Sequence, residues 1–365
     1  MMSKIHPAAA LTAAIPMPRK VFRDTAFTES AALQNLQDCE FINCHFGSIT
    51  LQQANWSGLK FERCRFQSVN FAGCELNDCH FTQCELVDCH WHAGRCQRCT
   101  SQQSVWRQCE FHYLHSKAMT FQGGQWQSII LNTCLSEHWN LIQIPITQLQ
   151  LLHGSAHDWN ICQCEFQNGC WRDIEIQRQV ASECQFNHVV LGHRHGPGQT
   201  WYQCQWLQCQ LNELTLVGGS FHRNQFDACN FAASHFRHTV LVESQFSQCC
   251  LADFYAEAIQ GEKLQLSACS LDASRWSHCG LQQSEFHHCV GESSDFSYSD
   301  LRAAHLSGLP DNTLFTDARR FGATPAASVE NEPALKAIAD WHQTCRPGPD
   351  HLHTSLAIKG TSKYV

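Results

Sequence analysis

Large apolar residues recur at every fifth position of this chain, as in Phe41, Phe46, Leu51, Trp56, Phe61, Phe66, Phe71 and Leu76. The register opens at Leu36 and runs without a phase shift to Leu306, and 45 of its 55 positions are Phe, Leu, Trp or Ile. A period of five matches neither the 3.6 of a helix nor the 2.0 of a flat strand. It fits a chain that turns a corner every five residues and points the central side chain of each unit inward. Self-similarity at a fixed period indicates a solenoid and overrides residue-by-residue assignment.

A second register lies two residues before each center, and it holds 19 of the 24 cysteines. In the stretch "CELNDCHFTQCELVDCHW", Cys74, Cys79, Cys84 and Cys89 therefore belong to a pattern that spans the chain. A zinc site needs four ligands converging from close pairs and a longer loop, whereas these thiols fall on successive walls. Disulfide-dense scaffolds are short secreted chains, and thiols stacked with parallel Cβ vectors suit the bond poorly. The expectation is free cysteine acting as a small core residue. Five cysteines lie off this register, and of these Cys170, Cys250 and Cys345 are expected to be exposed.

Successive units such as "CEFIN", "CHFGS", "CRFQS", "CELND" and "CHFTQ" resemble the pentapeptide-repeat family. The resemblance covers about three quarters of the chain. It implies an all-β, right-handed quadrilateral β-helix with four units per coil. This chain departs from the family by using Cys as the small inward residue, and Glu, His or Gln where Asp or Asn is common.

Four units per coil put residues 20 apart on top of one another. Ten cysteine pairs have that separation, against three at 15 and seven at 25, and Cys209, Cys229, Cys249, Cys269 and Cys289 form the longest column. One corner shows compensation of size: the centers Cys96, Ser116, Ser136 and Ala156 are small, while Met119, Trp139 and Trp159 follow them on the second register. Close packing demands such conservation of volume. At a strand spacing of ~4.8 Å, 13 to 14 coils make a rod of ~65 Å.

The ends break the pattern. Phe22 and Phe27 are out of register with Leu36, so residues 21–35 read as a separate N-terminal cap after a tail of residues 1–20. The β-helix is assigned to 36–308 and a C-terminal cap to 309–345. Within that cap, "EPALKAIADWHQTC" reads as a short helix near 333–345, opened by Pro333. Residues 346–365 read as a flexible tail. "GHRHGPG" at 192–198 would set Arg194 at an inward position, where an unpaired charge is costly, so it reads as a loop leaving the coil.

Composition narrows function. At 43% hydrophobic and 16% charged the chain is globular, and no run approaches the ~18 apolar residues of a membrane span. Between residues 36 and 306 there are 25 acidic and 15 basic residues, which argues against direct nucleic-acid binding through a basic face. No nucleophile, base and orienting carboxylate share a recognizable pattern, and no glycine-rich phosphate loop occurs, so neither an enzymatic activity nor a cofactor is expected. His90, His92 and His112, with Glu110, are the candidates for a surface metal site, read against an ordinary solvated polar face.

These features give an expected function: a non-enzymatic cytoplasmic scaffold that binds another protein, with self-association as a second use of the same surface. The resemblance implies two alternatives, an acidic mimic of DNA that binds DNA gyrase and a secretion-associated protein. The candidate binding face is Ile130, Leu152, Cys170 and Val190, which are apolar, outward and on one wall of the 20-residue grid.

Overall fold

The computed structural model describes residues 20–192 and 198–324, which form an all-β parallel β-solenoid of about 13 turns. Most strands are three residues long, and each pairs in parallel with the strand 20 residues further on, as Glu40–Ile42 does with Lys60–Glu62, opposing Phe41 to Phe61. Four walls result, numbered here from the strands centered on Leu36, Phe41, Phe46 and Leu51. The third wall is a continuous 14-stranded sheet and the second an 11-stranded one. The fourth and first walls merge into one 13-stranded sheet, because Asn70–Asn77, His90–Gln97 and Glu110–Lys117 run across the corner between them. The four-unit coil expected from the cysteine separations is the coil observed.

Corners explain the composition of the second residue after each center. There the backbone enters the left-handed region, with φ of +53° at Asn43, +50° at Ser48, +54° at Asp78 and +52° at Ala273, and 50 non-glycine residues among those described have positive φ. This conformation is uncommon outside glycine and is a true outlier for bulky β-branched side chains. That position carries no Val, Ile, Leu, Phe, Met or Trp from residue 43 to 303. A steric rule of the turn is thus written along the chain as a composition rule.

The lumen is filled by ladders of the central side chains and, at one corner, of second-register side chains. Phe22, Phe41, Phe61 and Phe81 stack at centroid separations of 4.9, 5.0 and 4.9 Å, and Trp139 lies on Trp159 at 4.9 Å with their planes 3° apart. At the compensated corner, Trp139 Nε1 donates to Ser116 Oγ at 3.1 Å and Trp159 Nε1 to Ser136 Oγ at 3.2 Å. The small centers therefore make room for the indole and also accept its N–H, as buried tryptophan requires.

Described cysteines on the second register are buried and free. Most point the thiol at the carbonyl of the center 23 residues earlier, as in Cys64 to Phe41 O at 3.2 Å and Cys209 to Phe186 O at 3.2 Å. Serine does the same at other coils, for example Ser244 Oγ to Phe221 O at 2.7 Å. The thiol is thus a small apolar filler that also acts as a weak donor. Burial pushes the Cys134 thiol up to about 11 and those of Cys164 and Cys279 up to about 12, so they stay protonated at neutral pH.

The solenoid extends further at both ends than the sequence indicates. Residues 21–27 are not a separate cap: Val21–Arg23 pairs with Glu40–Ile42 and Ala26–Phe27 with the strand at Phe46, each 19 residues away instead of 20. The missing residue is absorbed by a helical turn at Ala31–Leu33, whose Leu33 carbonyl accepts Trp56 Nε1 at 2.7 Å. At the other end the coil does not stop at 308. Asp295 bridges Leu314, Asp300 bridges Arg319 and His305 bridges Thr324, again 19 apart. The chain passes so close at Gly308 that a Cβ there would lie 2.2 Å from the Phe286 carbonyl oxygen. In this last coil Phe315 stacks on Phe296, and Arg320, aligned with the core residue Leu301, lies over the Phe315 ring at 4.8 Å. A solvated cation thus takes the central position at the end of the described rod, in a coil that also leaves Leu314 and Phe321 exposed. The tails, residues 193–197 of the "GHRHGPG" segment, and the helix assigned near 333–345 lie outside the described residues.

Candidate interaction surface

Two positions per unit, on either side of each center, point outward, and the left-handed corner residues join them. Stacking every 20 residues turns these positions into columns whose members interact between coils. Arg98 holds both oxygens of Asp78 at 2.7 Å, and Arg178 holds those of Asp158 at 2.6 and 2.7 Å. The guanidinium beside each keeps that carboxyl below its usual range. Glu85 is shared by Arg65 and Arg107, and Lys117 meets Glu137 at 3.0 Å. Basic residues thus sit within the acidic columns and divide them.

Wall four carries the sequence-derived apolar face. Ile130 opposes Gln150, Gln150 opposes Cys170, and Cys170 opposes Val190, while Leu152 flanks the same strand as Gln150 on its other side. The four residues share one sheet, but they form a zigzag around Gln150 instead of a single column. All four are half-buried. Their neighbors Asn132 and Arg172 bound the strip on the Leu152 side.

The histidine candidates lie higher on this wall. His92 opposes His112, and His90 opposes Glu110. Glu110 Oε2 lies 3.1 Å from His112 Nε2 and 3.7 Å from His90 Nδ1, and His90 also reaches Asp88 at 3.4 Å. His92 turns to Tyr113, with ring centroids 5.6 Å apart. Among the described residues no group of three or more His, Cys, Asp or Glu side chains is arranged to hold a metal ion, so the three histidines do not converge as a metal site requires. They are drawn to carboxylates and a ring instead of to a common point.

Of the thiols expected at the surface, Cys170 is half-buried and Cys345 lies outside the described residues, but Cys250 is fully buried. In this part of wall four turns replace strands, and Ala232 and Ala252 pack beside the thiol. Cys162 is half-buried as well.

One feature escaped the sequence reading. Gln185, Gln205, Gln225, Gln245 and Gln265 occupy the same outward position in five successive coils of wall three. Glutamine at a constant spacing of 20 is visible in the sequence, but only the fold shows that a groove of about 510 Å³ runs beside it at the corner with wall two.

A family model for pentapeptide repeats matches residues 39–83, in eight copies. A comparison with curated protein sequences finds no match. Among solved structures, the chain is similar to trypsin-treated QnrB1, a plasmid-mediated fluoroquinolone resistance protein, at 12% identity, with a TM-score of 0.22 over 55% of this chain and 96% of that one. It is also similar to HetL, a pentapeptide repeat protein involved in heterocyst differentiation regulation in the cyanobacterium Nostoc, at 13% identity and a TM-score of 0.15, covering 80% and 86%. The catalytic domain of a GH87 α-1,3-glucanase matches at 10% identity and a TM-score of 0.31, covering 87% and 71%.

Proposed function

Because the chain is a pentapeptide-repeat protein folded as a β-solenoid rod, we propose that it is a rigid, non-enzymatic scaffold that binds another protein through wall four. The observation that carries this reading is the group of Ile130, Leu152, Cys170 and Val190, four half-buried apolar side chains in four successive coils of one wall, whereas exposed apolar residues elsewhere, such as Leu135, Val180, Leu207 and Val217, lie on other walls. Cys170 and Val190 oppose each other directly, with Ile130 and Leu152 around the intervening Gln150, and grouped apolar residues mark contact sites more often than isolated ones do. Parallel ladders on every wall hold the strip rigid, which lowers the ordering cost of binding.

The test is Ile130→Asp with Leu152→Asp. Both side chains flank inward centers, so the double variant should fold with an unchanged far-UV spectrum and lose a partner that co-purifies from the native cell. Unfolding of the variant would place the residues inside and refute the face assignment. Retention of the partner would refute the strip as the binding surface.

Mimicry of DNA, and with it binding to DNA gyrase, is the second reading, supported by the acidic surplus. The interleaved pairs Asp78–Arg98, Asp158–Arg178 and Glu243–Arg223 weigh against it, because a mimic needs unbroken rows of negative charge. No effect on gyrase supercoiling is expected at micromolar protein. Inhibition that weakens with added salt would reverse the order of the two readings.

A further inference from the structure

The lumen at residues 94–113 departs from the compensation of size seen in the coils that follow it. There each small center on wall one is covered by the second-register residue 23 positions later, Ser116 by Trp139 and Ser136 by Trp159, through an indole hydrogen bond. In the coil at 94–113 two neighboring centers are small, Cys96 on wall one and Ser101 on wall two, and the residues 23 positions later are Met119 and Gly124. A thioether is slimmer than an indole, and glycine fills nothing. Gly124 cannot be enlarged, because a Cβ there would lie 2.0 Å from the Ser104 carbonyl oxygen. At another pair of small neighbors, Ala256 and Gly261, the same coil supplies Phe254 and Ile259 to the core, where this coil has Gly94 and Cys99.

A void remains, in which the center of a water-sized sphere has about 20 Å³ to move. Cys96, Cys99, Trp106, Met119 and Trp139 are among its walls, and no residue that lines it is more than 8% exposed. Protein interiors seldom leave a gap larger than a water molecule. The stronger donors at these walls are already engaged: Trp106 Nε1 donates to Ser101 Oγ at 2.9 Å and Trp139 Nε1 to Ser116 Oγ at 3.1 Å. The Cys99 thiol points at the carbonyls of Leu76 and Gln97, at 3.5 and 3.4 Å.

Size and chemistry select the guest. A buried water needs roughly two to four polar partners, whereas an apolar cavity stays dry and admits apolar guests. An ion would lose its hydration with no charge to meet it. A molecule of several carbon atoms exceeds the room. We propose that this void is a binding site for one small apolar gas molecule of the size of dioxygen, held by dispersion contacts to the indoles and the Met119 thioether. The guest enters by transient opening of the core.

The test uses xenon, an apolar atom of similar size, on the full chain with isotope-labeled methionine methyl groups. Met119 is the one methionine among the described residues, and it lines the void. Its methyl resonance should shift saturably with xenon pressure, and paramagnetic dioxygen should speed the relaxation of the same methyl. Cys96→Val sets one more methyl group in the void, so both effects should vanish while the urea midpoint holds or rises. An absent or unsaturable xenon shift in the wild type would overturn the proposal, as would a nuclear Overhauser contact from water to the Met119 methyl. So would either gas effect retained in the variant, or a lowered midpoint, which would show the space to be already filled.

Discussion

Ala273 sits at a corner with φ of +52° and an exposed side chain, so substitutions there change backbone strain with little change in packing. A non-glycine residue in the left-handed region bears ~1–2 kcal/mol of strain from its Cβ. Ala273→Gly removes that strain but adds ~0.5–1 kcal/mol of chain entropy lost on folding. The net expectation is stabilization of up to ~1 kcal/mol. Ala273→Val brings a β-branched side chain into the same conformation and should destabilize by ~1–3 kcal/mol. An exposed strand position of ordinary geometry gives the opposite order, since valine favors strands and glycine weakens them. Urea unfolding at constant m-value measures both variants, and the same pair at Ala233, with φ of +56°, serves as a repeat two coils away. A glycine variant less stable than wild type together with a tolerated valine would refute the corner geometry.

Three further outcomes follow from the core and surface. Stability should fall steeply above pH 9. The folded thiols of Cys134, Cys164 and Cys279 are raised to about 11, 12 and 12. An unfolded thiol ionizes near ~8.5, so the unfolded state sheds protons first and each thiol costs ~1.4 kcal/mol per pH unit, ~4 for the three, until pH passes the folded values. Urea midpoints between pH 8 and 11 measure this, and a flat profile would show these thiols to be solvated. Ser136→Ala should cost ~1–3 kcal/mol by leaving the buried Trp159 N–H without its acceptor, and much of that should vanish in a Trp159→Phe background. Arg98→Ala should change stability by less than ~1 kcal/mol, because its bidentate pair with Asp78 is solvent-exposed.

The repeat itself was legible because three independent constraints share one period: an inward center, a small second residue and a strained corner. Size compensation at Ser116, Ser136 and Trp159 was legible for the same reason, since volume must be conserved within each coil. The ends were not. A one-residue shortening before Leu36 and another after Leu306 move Phe22 and Phe315 off the numerical register without removing them from the stack. A helical turn at Ala31–Leu33 absorbs the first shift and the segment between Gly308 and Leu314 the second, and neither carries a periodic signal. Cys250 was misplaced because an outward position is exposed in a flat strand, whereas in a run of turns with alanine neighbors it is covered. On wall four the grid placed Ile130, Leu152, Cys170 and Val190 on one sheet, but side-by-side contact depends on which flank of the center each occupies, and Gln150 interrupts the column.

Thiol titration tests the central claim, that the five-residue recurrence of cysteine is a packing pattern. In guanidinium, without reductant, all 24 cysteines of protein purified without oxidant should react. In the native state the thiols of the Cys209–Cys289 column should stay silent, being at most 3% exposed, and reaction among the described residues should be confined to Cys162 and Cys170. Several thiols missing after denaturation, or rapid native labeling of Cys249, would contradict the account.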